Sequence, residues 1–175
     1  MKKLTLTLLL FSLTFLQAQN FRGLDKSPMD KASFPASYRI SDKVATITYS
    51  RPQLKGRAFA DIVPFGKIWR TGANEATELR VFKAIAIGGT KVPVGTYSLF
   101  TIFGAEKMTL IINKRTNLWG AYAYNEDEDL LRFEVLTTNV EDTLDAFSMV
   151  FSGDDAPVLH LGWGNTRTEV QFSVL

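Results

Sequence analysis

Short stretches of alternating apolar and polar residues recur along this chain, and they limit the folds that it can adopt. The clearest is segment 44–50, in which Ala45, Ile47 and Tyr49 share one face while hydroxyl side chains share the other. This is the period of a half-buried strand. Strand patterns resume near Leu79 and are predicted at 85–87, 92–103, 108–112, 119–124, 130–136, 146–151, 158–163 and 168–174.

The spacing of these segments predicts the fold class. About eight or nine short strands follow one another at roughly ten-residue intervals, and no long amphipathic helix interrupts them. We therefore expect an all-β protein, an antiparallel β-sandwich of two sheets, with a jelly-roll-like or barrel-like arrangement as the alternative.

Glycine residues predict where the chain turns. Gly88 and Gly89 suit a tight hairpin, because glycine adopts positive φ without strain. Gly164 and Asn165 predict a turn that would pair the last two strands as a terminal hairpin. The run 58–66, which contains proline and ends in glycine, predicts one short helical turn.

The first residues have the pattern of a secretory signal peptide. Lys2 and Lys3 precede an apolar run at 4–16, which is shorter than the roughly 20 residues needed to span a bilayer. Cleavage after Ala18 is expected, so that 1–18 is the signal peptide. No integral membrane segment is then expected in the mature chain.

The remaining chain is expected to form one domain. Residues 19–36 include Gly23, Pro28 and Pro35 with no sustained period, which predicts a flexible lead-in before order begins near Tyr38. Residues 37–175 are then expected to form a single β-sandwich domain, since this length buries enough surface to be stable alone.

Composition excludes several kinds of site. The chain has no cysteine and one histidine, so disulfides, thiolate ligands, a cysteine nucleophile and a His-rich metal centre are ruled out. Removing Lys2 and Lys3 from the 20 Lys and Arg leaves 18, which equals the 18 Asp and Glu. This balance does not favour nucleic acid as a partner. Export without disulfides indicates a bacterial envelope, with a periplasmic or extracellular location; no cofactor is expected.

The segment W-R-T-G-A-N-E at 69–75 concentrates the most varied chemistry in the chain. A turn at Gly72 would bring Arg70, Asn74 and Glu75 together as a site for a carboxylate, a sugar or a peptide terminus. The alternative is that Arg70 or Arg51 pairs with Glu75 and that the motif serves packing. The full set predicted to bind a ligand is Arg51, Arg57, Trp69, Arg70, Thr71, Asn74 and Glu75.

Catalytic and metal sites have weaker support. A hydrolase would use Glu75, with Asp61 as a second acid, while a Ser-His-acid site would need His160, which is expected to point outward as an ordinary surface residue. The acidic run 125–129 begins like a calcium loop, but Leu130 stands where glycine is required, so a solvated turn is predicted.

Aromatic residues near 119–124 allow two interpretations. Trp119, Tyr122 and Tyr124 form either a platform that stacks on sugars or part of the core, as aromatic residues in strands usually do.

Several of these stretches together resemble an uncharacterised family of exported bacterial proteins, domain of unknown function 2911. The segments that carry the resemblance are Y-S-R-P from Tyr49, G-R from Gly56, V-P-F-G from Val63, W-R-T-G-A-N-E from Trp69, V-P-V-G-T-Y-S-L from Val92 and W-G from Trp119. Phe65 stands where tyrosine is more familiar, and Asp145 where glutamate is expected. The resemblance implies a compact β-rich envelope protein and brings no established activity.

Three functions are therefore carried forward for an exported envelope protein. The first is a non-enzymatic module that binds a small polar ligand, a glycan or an envelope partner. The second is a hydrolase that uses Glu75, and the third is a purely structural protein.

Overall fold

The computed structural model describes residues 19–154 and 156–175, and its regular secondary structure is almost entirely antiparallel strand. The expected signal peptide at 1–18 lies outside these residues. The strands are β1 Met29–Phe34, β2 Ala45–Ser50, β3 Ile68–Trp69, β4 Thr77–Val81, β5 Ile85–Ile87, β6 Thr90–Val92, β7 Gly95–Phe103, β8 Lys107–Asn113, β9 Asp129–Ser152, β10 Val158–Gln171 and β11 Ser173–Val174.

Two short helices complete the described chain. Helix α1 spans Phe59–Ile62, inside the run 58–66 where a helical turn is predicted, and a 3₁₀ helix spans Glu126–Glu128. Neither is long and apolar enough to cross a membrane.

The strands form two antiparallel sheets. The large sheet has the order β1-β2-β4-β7-β8-β9-β10, with β3 added beside β7, and the small sheet has the order β11-β5-β6. Apolar side chains of both sheets, including Ile47, Val92 and Phe151, share one buried cluster. The prediction of an all-β, sandwich-like fold is confirmed.

Strand β9 makes the large sheet curl. Its first part pairs with β8 as far as Leu136, and its second part pairs with β10 from Thr137 to Ser152. On the other edge of this second part, the chain that follows β2 pairs with β9: the Leu54 amide donates to the Asp145 carbonyl at 2.8 Å. The two ends of the sheet are thereby brought together around the core.

Strand β2 follows the predicted alternation, with a difference in burial. Ala45, Ile47 and Tyr49 lie in the core as expected, but Thr46 and Ser50 on the opposite face are buried as well. Because β2 lies between β1 and β4, its edges are also covered. The strand is therefore more deeply buried than its alternation indicates.

The prediction of a lead-in through residue 36 is wrong for Met29–Phe34, which forms β1. This strand pairs along its whole length with β2. Its sequence gives little signal because it is an edge strand, with Ala32 and Phe34 as its only buried residues.

The predicted terminal hairpin is also wrong. β10 continues through Gly164, where the register with β9 shifts twice between Gly162 and Thr166. Gly164 has a φ of +52°, so it serves an irregularity within a strand and not a turn between two strands. Segments 130–136 and 146–151 likewise belong to the single strand β9.

Of three further sequence predictions, about a hairpin and two strands, the structure agrees with one and differs from two. Gly88 and Gly89, with φ of +56° and +79°, close the β5–β6 hairpin as predicted. The segment 92–103 is interrupted at Pro93, because proline has no amide hydrogen for the ladder. Residues 119–124 form turns instead of the predicted strand.

Candidate functional site

Trp69 belongs to the core. It is 6 % exposed and stacks on Trp163, with ring centroids 5.7 Å apart and planes 11° apart. Phe147 meets it edge-on at 5.1 Å. The indole therefore packs inside the sheet, as the packing interpretation of the motif expects.

The chain bends directly after Trp69, but not because of the conformation of Gly72. Positive φ values occur at Thr71 and Asn74, at +56° and +60°. Gly72 is needed for a different reason: a Cβ there would approach the Ser50 carbonyl oxygen to 2.9 Å. The glycine thus lets the loop pack closely against β2.

Thr71 fixes this bend from inside. Its side chain is completely buried, and its hydroxyl lies 3.1 Å from that of Thr101 on β7. The Thr77 hydroxyl donates to the Thr71 carbonyl at 2.7 Å. Thr71 therefore positions the loop and presents no hydroxyl to solvent.

Arg70 is half-buried and is not paired with Glu75. The salt bridges of the described chain include neither residue. The Arg70 Nε atom is buried and has no hydrogen-bond partner among the residues that the structure describes. A buried donor without an acceptor is uncommon in folded proteins.

Arg51 is half-buried, and its guanidinium has three hydrogen-bond partners. Its guanidinium contacts an Asp30 carboxylate oxygen at 3.0 Å, the Phe147 carbonyl at 3.0 Å and the Ser148 hydroxyl at 2.7 Å. It thereby ties β9 to the end of β2 and to β1. With these bonds in place, Arg51 is part of the scaffold.

Arg57 also bonds to its own surroundings. Its guanidinium donates to the carbonyls of Leu54 and Gln53 at 2.9 and 2.7 Å. Arg57 lines a cleft of about 520 Å³ together with Asp145, whose carboxylate accepts the Lys55 amide at 2.7 Å. The charged groups of this cleft are thus engaged in holding the loop after β2.

Asn74 and Glu75 meet a second motif across a backbone junction. The Gly120 amide donates to the Asn74 carbonyl at 3.0 Å, and the Ala76 amide donates to the Leu118 carbonyl at 2.9 Å. An isolated β-bridge joins Glu75 to Trp119. The junction fastens W-R-T-G-A-N-E to the W-G segment, although more than 40 residues separate them in sequence.

Two aromatic side chains are exposed at this junction. Trp119 is 62 % exposed and Tyr122 is 88 % exposed. The Tyr122 ring lies over Gly120, where an added Cβ would meet it at 2.9 Å. We call the surface group formed by half-buried Asn74 and by exposed Glu75, Trp119 and Tyr122 the aromatic platform.

Tyr124 does not belong to the platform. Its ring packs edge-on against Phe100 at 5.1 Å, and its hydroxyl donates to Asp129. Burial, followed by this hydrogen bond, raises the pKa of Tyr124 well above its ordinary value. The segment 119–124 thus places Tyr124 against a small buried cluster and leaves Trp119 and Tyr122 at the surface.

A carboxylate from the segment before β1 reaches the platform. The Asn74 amide donates to Asp25 at 3.1 Å, and the Ser27 amide hydrogen donates to the same carboxylate at 2.7 Å. These two hydrogen bonds lower the pKa of Asp25 below its ordinary value, and the bond from Ser27 has the larger effect. The segment before β1 therefore contributes an ionised acid beside Asn74.

The acidic residues considered for other chemistry have local roles. Asn125 accepts the Asp127 amide within the 3₁₀ helix, and Asp61 accepts the Ala58 amide at the start of α1. Among residues 19–154 and 156–175, no group of three His, Cys, Asp or Glu side chains is arranged to hold a metal ion.

Fold and junction together define the class: a small antiparallel β protein whose buried aromatic core is joined, through one loop, to exposed aromatic residues. The chain belongs to the family described as Protein of unknown function (DUF2911), whose model matches residues 27–172. The resemblance drawn from its motifs is confirmed. No curated protein and no solved structure matches the chain.

Proposed function

We propose that the protein is an exported component of the bacterial envelope that binds a glycan at the aromatic platform. The observation that carries this proposal is the exposure of Trp119 and Tyr122 beside Glu75 and Asn74. Large aromatic side chains usually lose most of their exposure on folding, so an exposed pair next to polar groups favours a binding surface.

The chemistry of the platform suits a sugar. A pyranose ring presents C–H groups on its faces and hydroxyls at its edge. The faces pack on the rings of Trp119 and Tyr122, while edge hydroxyls donate to the Glu75 carboxylate and bond with the Asn74 amide. A charge-assisted bond to Glu75 adds orientation to a stacking contact that is otherwise tolerant of sugar identity.

Export is supported by sequence. Residues 1–18 have a basic start and a short apolar run, the pattern of a signal peptide. A protein in the periplasm or outside the cell meets glycans of the wall or of the surface. An exported location and glycan binding are therefore consistent with each other.

The test is a glycan microarray followed by calorimetric titration with the soluble oligosaccharide that gives the strongest signal. Trp119→Ala and Tyr122→Ala are each expected to weaken binding at least tenfold, which corresponds to about 1.4 kcal/mol. Glu75→Gln is expected to weaken it less, because the amide keeps the shape and loses the charge.

Tyr38→Ala is the matched control. Tyr38 is 86 % exposed and contacts Arg39, outside the platform. Its removal is expected to leave the affinity unchanged. The proposal fails if no oligosaccharide binds, or if binding persists in Trp119→Ala and Tyr122→Ala together.

A further inference from the structure

The outer face of the β9–β10 hairpin carries a group of side chains that the aromatic platform does not use. His160 on β10 lies opposite Val150 on β9, so Ser152, two residues further along β9, is its diagonal neighbour on the same face. The Ser152 Oγ lies 2.6 Å from His160 Nε2.

An acid lies on the other side of the imidazole. Glu169 Oε1 is 3.3 Å from His160 Nδ1. Glu169 is nine positions after His160 in the same strand, and the register with β9 shifts twice between them, from Gly162 to Thr166. Such irregularities bend the strand that contains them, which accounts for the approach of the two side chains. The proximity of Glu169 to His160 therefore depends on irregularities of β10 that could not be predicted from the sequence.

A small hollow adjoins His160. It has a volume of about 200 Å³, and its lining residues include Leu144 and Val150. Thr168 is also among its lining residues, but this residue is buried on the core face of β10, with Val170, and offers no polar group to the hollow. The hollow is smaller than the roughly 300 to 1,000 Å³ of sites for drug-sized ligands, so it fits a short apolar group.

We propose that Ser152, His160 and Glu169 act as nucleophile, general base and orienting acid in the hydrolysis of short-chain carboxylic esters. A nucleophile in contact with a base that a third group orients is the geometry by which serine hydrolases are recognised, whatever their fold. The proposal concerns other residues than the aromatic platform and does not depend on glycan binding.

The first half of the reaction forms an acyl-enzyme. Ser152 Oγ attacks the ester carbonyl carbon while its proton passes to His160 Nε2. The resulting tetrahedral species collapses, the carbon–oxygen bond to the leaving group breaks, and His160 returns the proton to the departing alkoxide. Glu169 accepts the Nδ1–H bond throughout and stabilises the imidazolium.

The second half restores the enzyme with water as co-reactant. Water attacks the acyl carbonyl and gives a proton to His160, the bond to Ser152 Oγ breaks, and His160 returns the proton to that oxygen. The net change is ester plus water to acid plus alcohol. The acyl chain lies in the hollow beside His160.

The experiment combines covalent labelling with turnover on the purified mature chain. A fluorophosphonate probe is expected to add to Ser152, as located by peptide mass spectrometry. Hydrolysis of p-nitrophenyl butyrate is expected to fall at least 100-fold in Ser152→Ala and in His160→Asn, and at least tenfold in Glu169→Gln. Hydrolysis of p-nitrophenyl palmitate by the wild type is expected to be at least tenfold slower, because the hollow is short.

Ser173→Ala, on the exposed strand β11, is the control and is expected to keep full activity. Because Ser152 is exposed, Ser152→Ala is expected to fold, and circular dichroism checks this. Absence of an adduct on Ser152, or equal turnover by the wild type and Ser152→Ala, overturns the proposal. Glycan binding that survives in Ser152→Ala leaves the platform proposal intact in either case.

Discussion

Two tryptophans of this protein have opposite surroundings. Trp163 is 2 % exposed, stacks on Trp69 and donates its indole N–H to the Asp145 carbonyl at 2.8 Å. Trp119 is 62 % exposed at the aromatic platform. Trp163 lies on a strand whose alternate residues face the core, whereas Trp119 lies in a turn. The conformation of the surrounding backbone, more than the residue type, therefore determines whether a tryptophan is buried or exposed.

The two regions are joined by the loop after β3. Trp69 enters the core, and a few residues later Glu75 bridges to Trp119 at the surface. Thr71 and Gly72 make this change of direction inside the protein, through a buried hydroxyl pair and a close approach to β2. One motif therefore supplies both a core residue and part of the aromatic platform.

The largest expected effect tests the core side of this comparison. Trp163→Ala removes a buried indole that packs on three other aromatic rings, and it should lower the free energy of unfolding by about 3 to 5 kcal/mol. Urea denaturation followed by circular dichroism measures this loss. Trp119→Ala, measured in the same way, should change it by about 0.5 kcal/mol or less. Equal losses in the two variants would contradict the division between core and platform.

A smaller effect concerns the turn that displays the platform. Gly120 has a φ of +64°, and an added Cβ would meet the Tyr122 ring at 2.9 Å. Gly56, with a φ of +79° and open space around it, is the matched control. Each change to alanine should cost about 1 to 2 kcal/mol from the left-handed backbone, as measured by urea denaturation.

Only Gly120→Ala should also displace Tyr122. Near-ultraviolet circular dichroism and oligosaccharide titration should therefore change in Gly120→Ala and stay as in the wild type in Gly56→Ala. If both variants keep the wild-type spectrum and affinity, the ring of Tyr122 is not held over Gly120.

Much of the fold could be predicted from the sequence, because alternation reports directly on which side chains face the core. The small hairpin at Gly88 and Gly89 and strand β8 follow from local residues alone. The course of β9 does not: its polar middle is exposed between two pairing partners, and nothing local marks it as continuous strand. Edge strand β1 was not predicted for a related reason: few of its residues face the core, so its sequence shows little alternation.

The candidate site was predicted only in part. Motif chemistry pointed to Asn74 and Glu75, but not to Asp30 as the partner of Arg51 or to Asp25 as the partner of Asn74. These partners come from the segment before β2, which was expected to be a flexible lead-in. Contacts between distant segments depend on sheet topology, which a single sequence does not specify.

The smallest expected effect separates the platform from the segment that reaches it. Asn74→Gly removes the amide that donates to Asp25 and keeps a residue suited to a φ of +60°. The Asp25 pKa should rise towards its ordinary value of 3.8 but stay below it, because the Ser27 bond, the larger cause, remains. A carbon-detected NMR titration of the Asp25 carboxyl measures this change. Asn117→Gly, at another asparagine with positive φ, is the control and should leave the Asp25 titration unchanged.

The sign of the accompanying pH dependence follows from the direction of the Asp25 shift. A carboxyl whose pKa is lower in the folded than in the unfolded state stabilises the fold above its unfolded pKa of 3.8, and this contribution is lost as the pH falls through the folded value. Thermal unfolding from pH 5 downward should therefore show a slightly steeper loss of stability in the wild type than in Asn74→Gly. The difference should be small, because Asp25 is fully exposed to solvent. Identical carboxyl titrations in the two proteins would mean that Asn74 does not hold Asp25 in solution, and the platform would then be built without the segment that precedes β1.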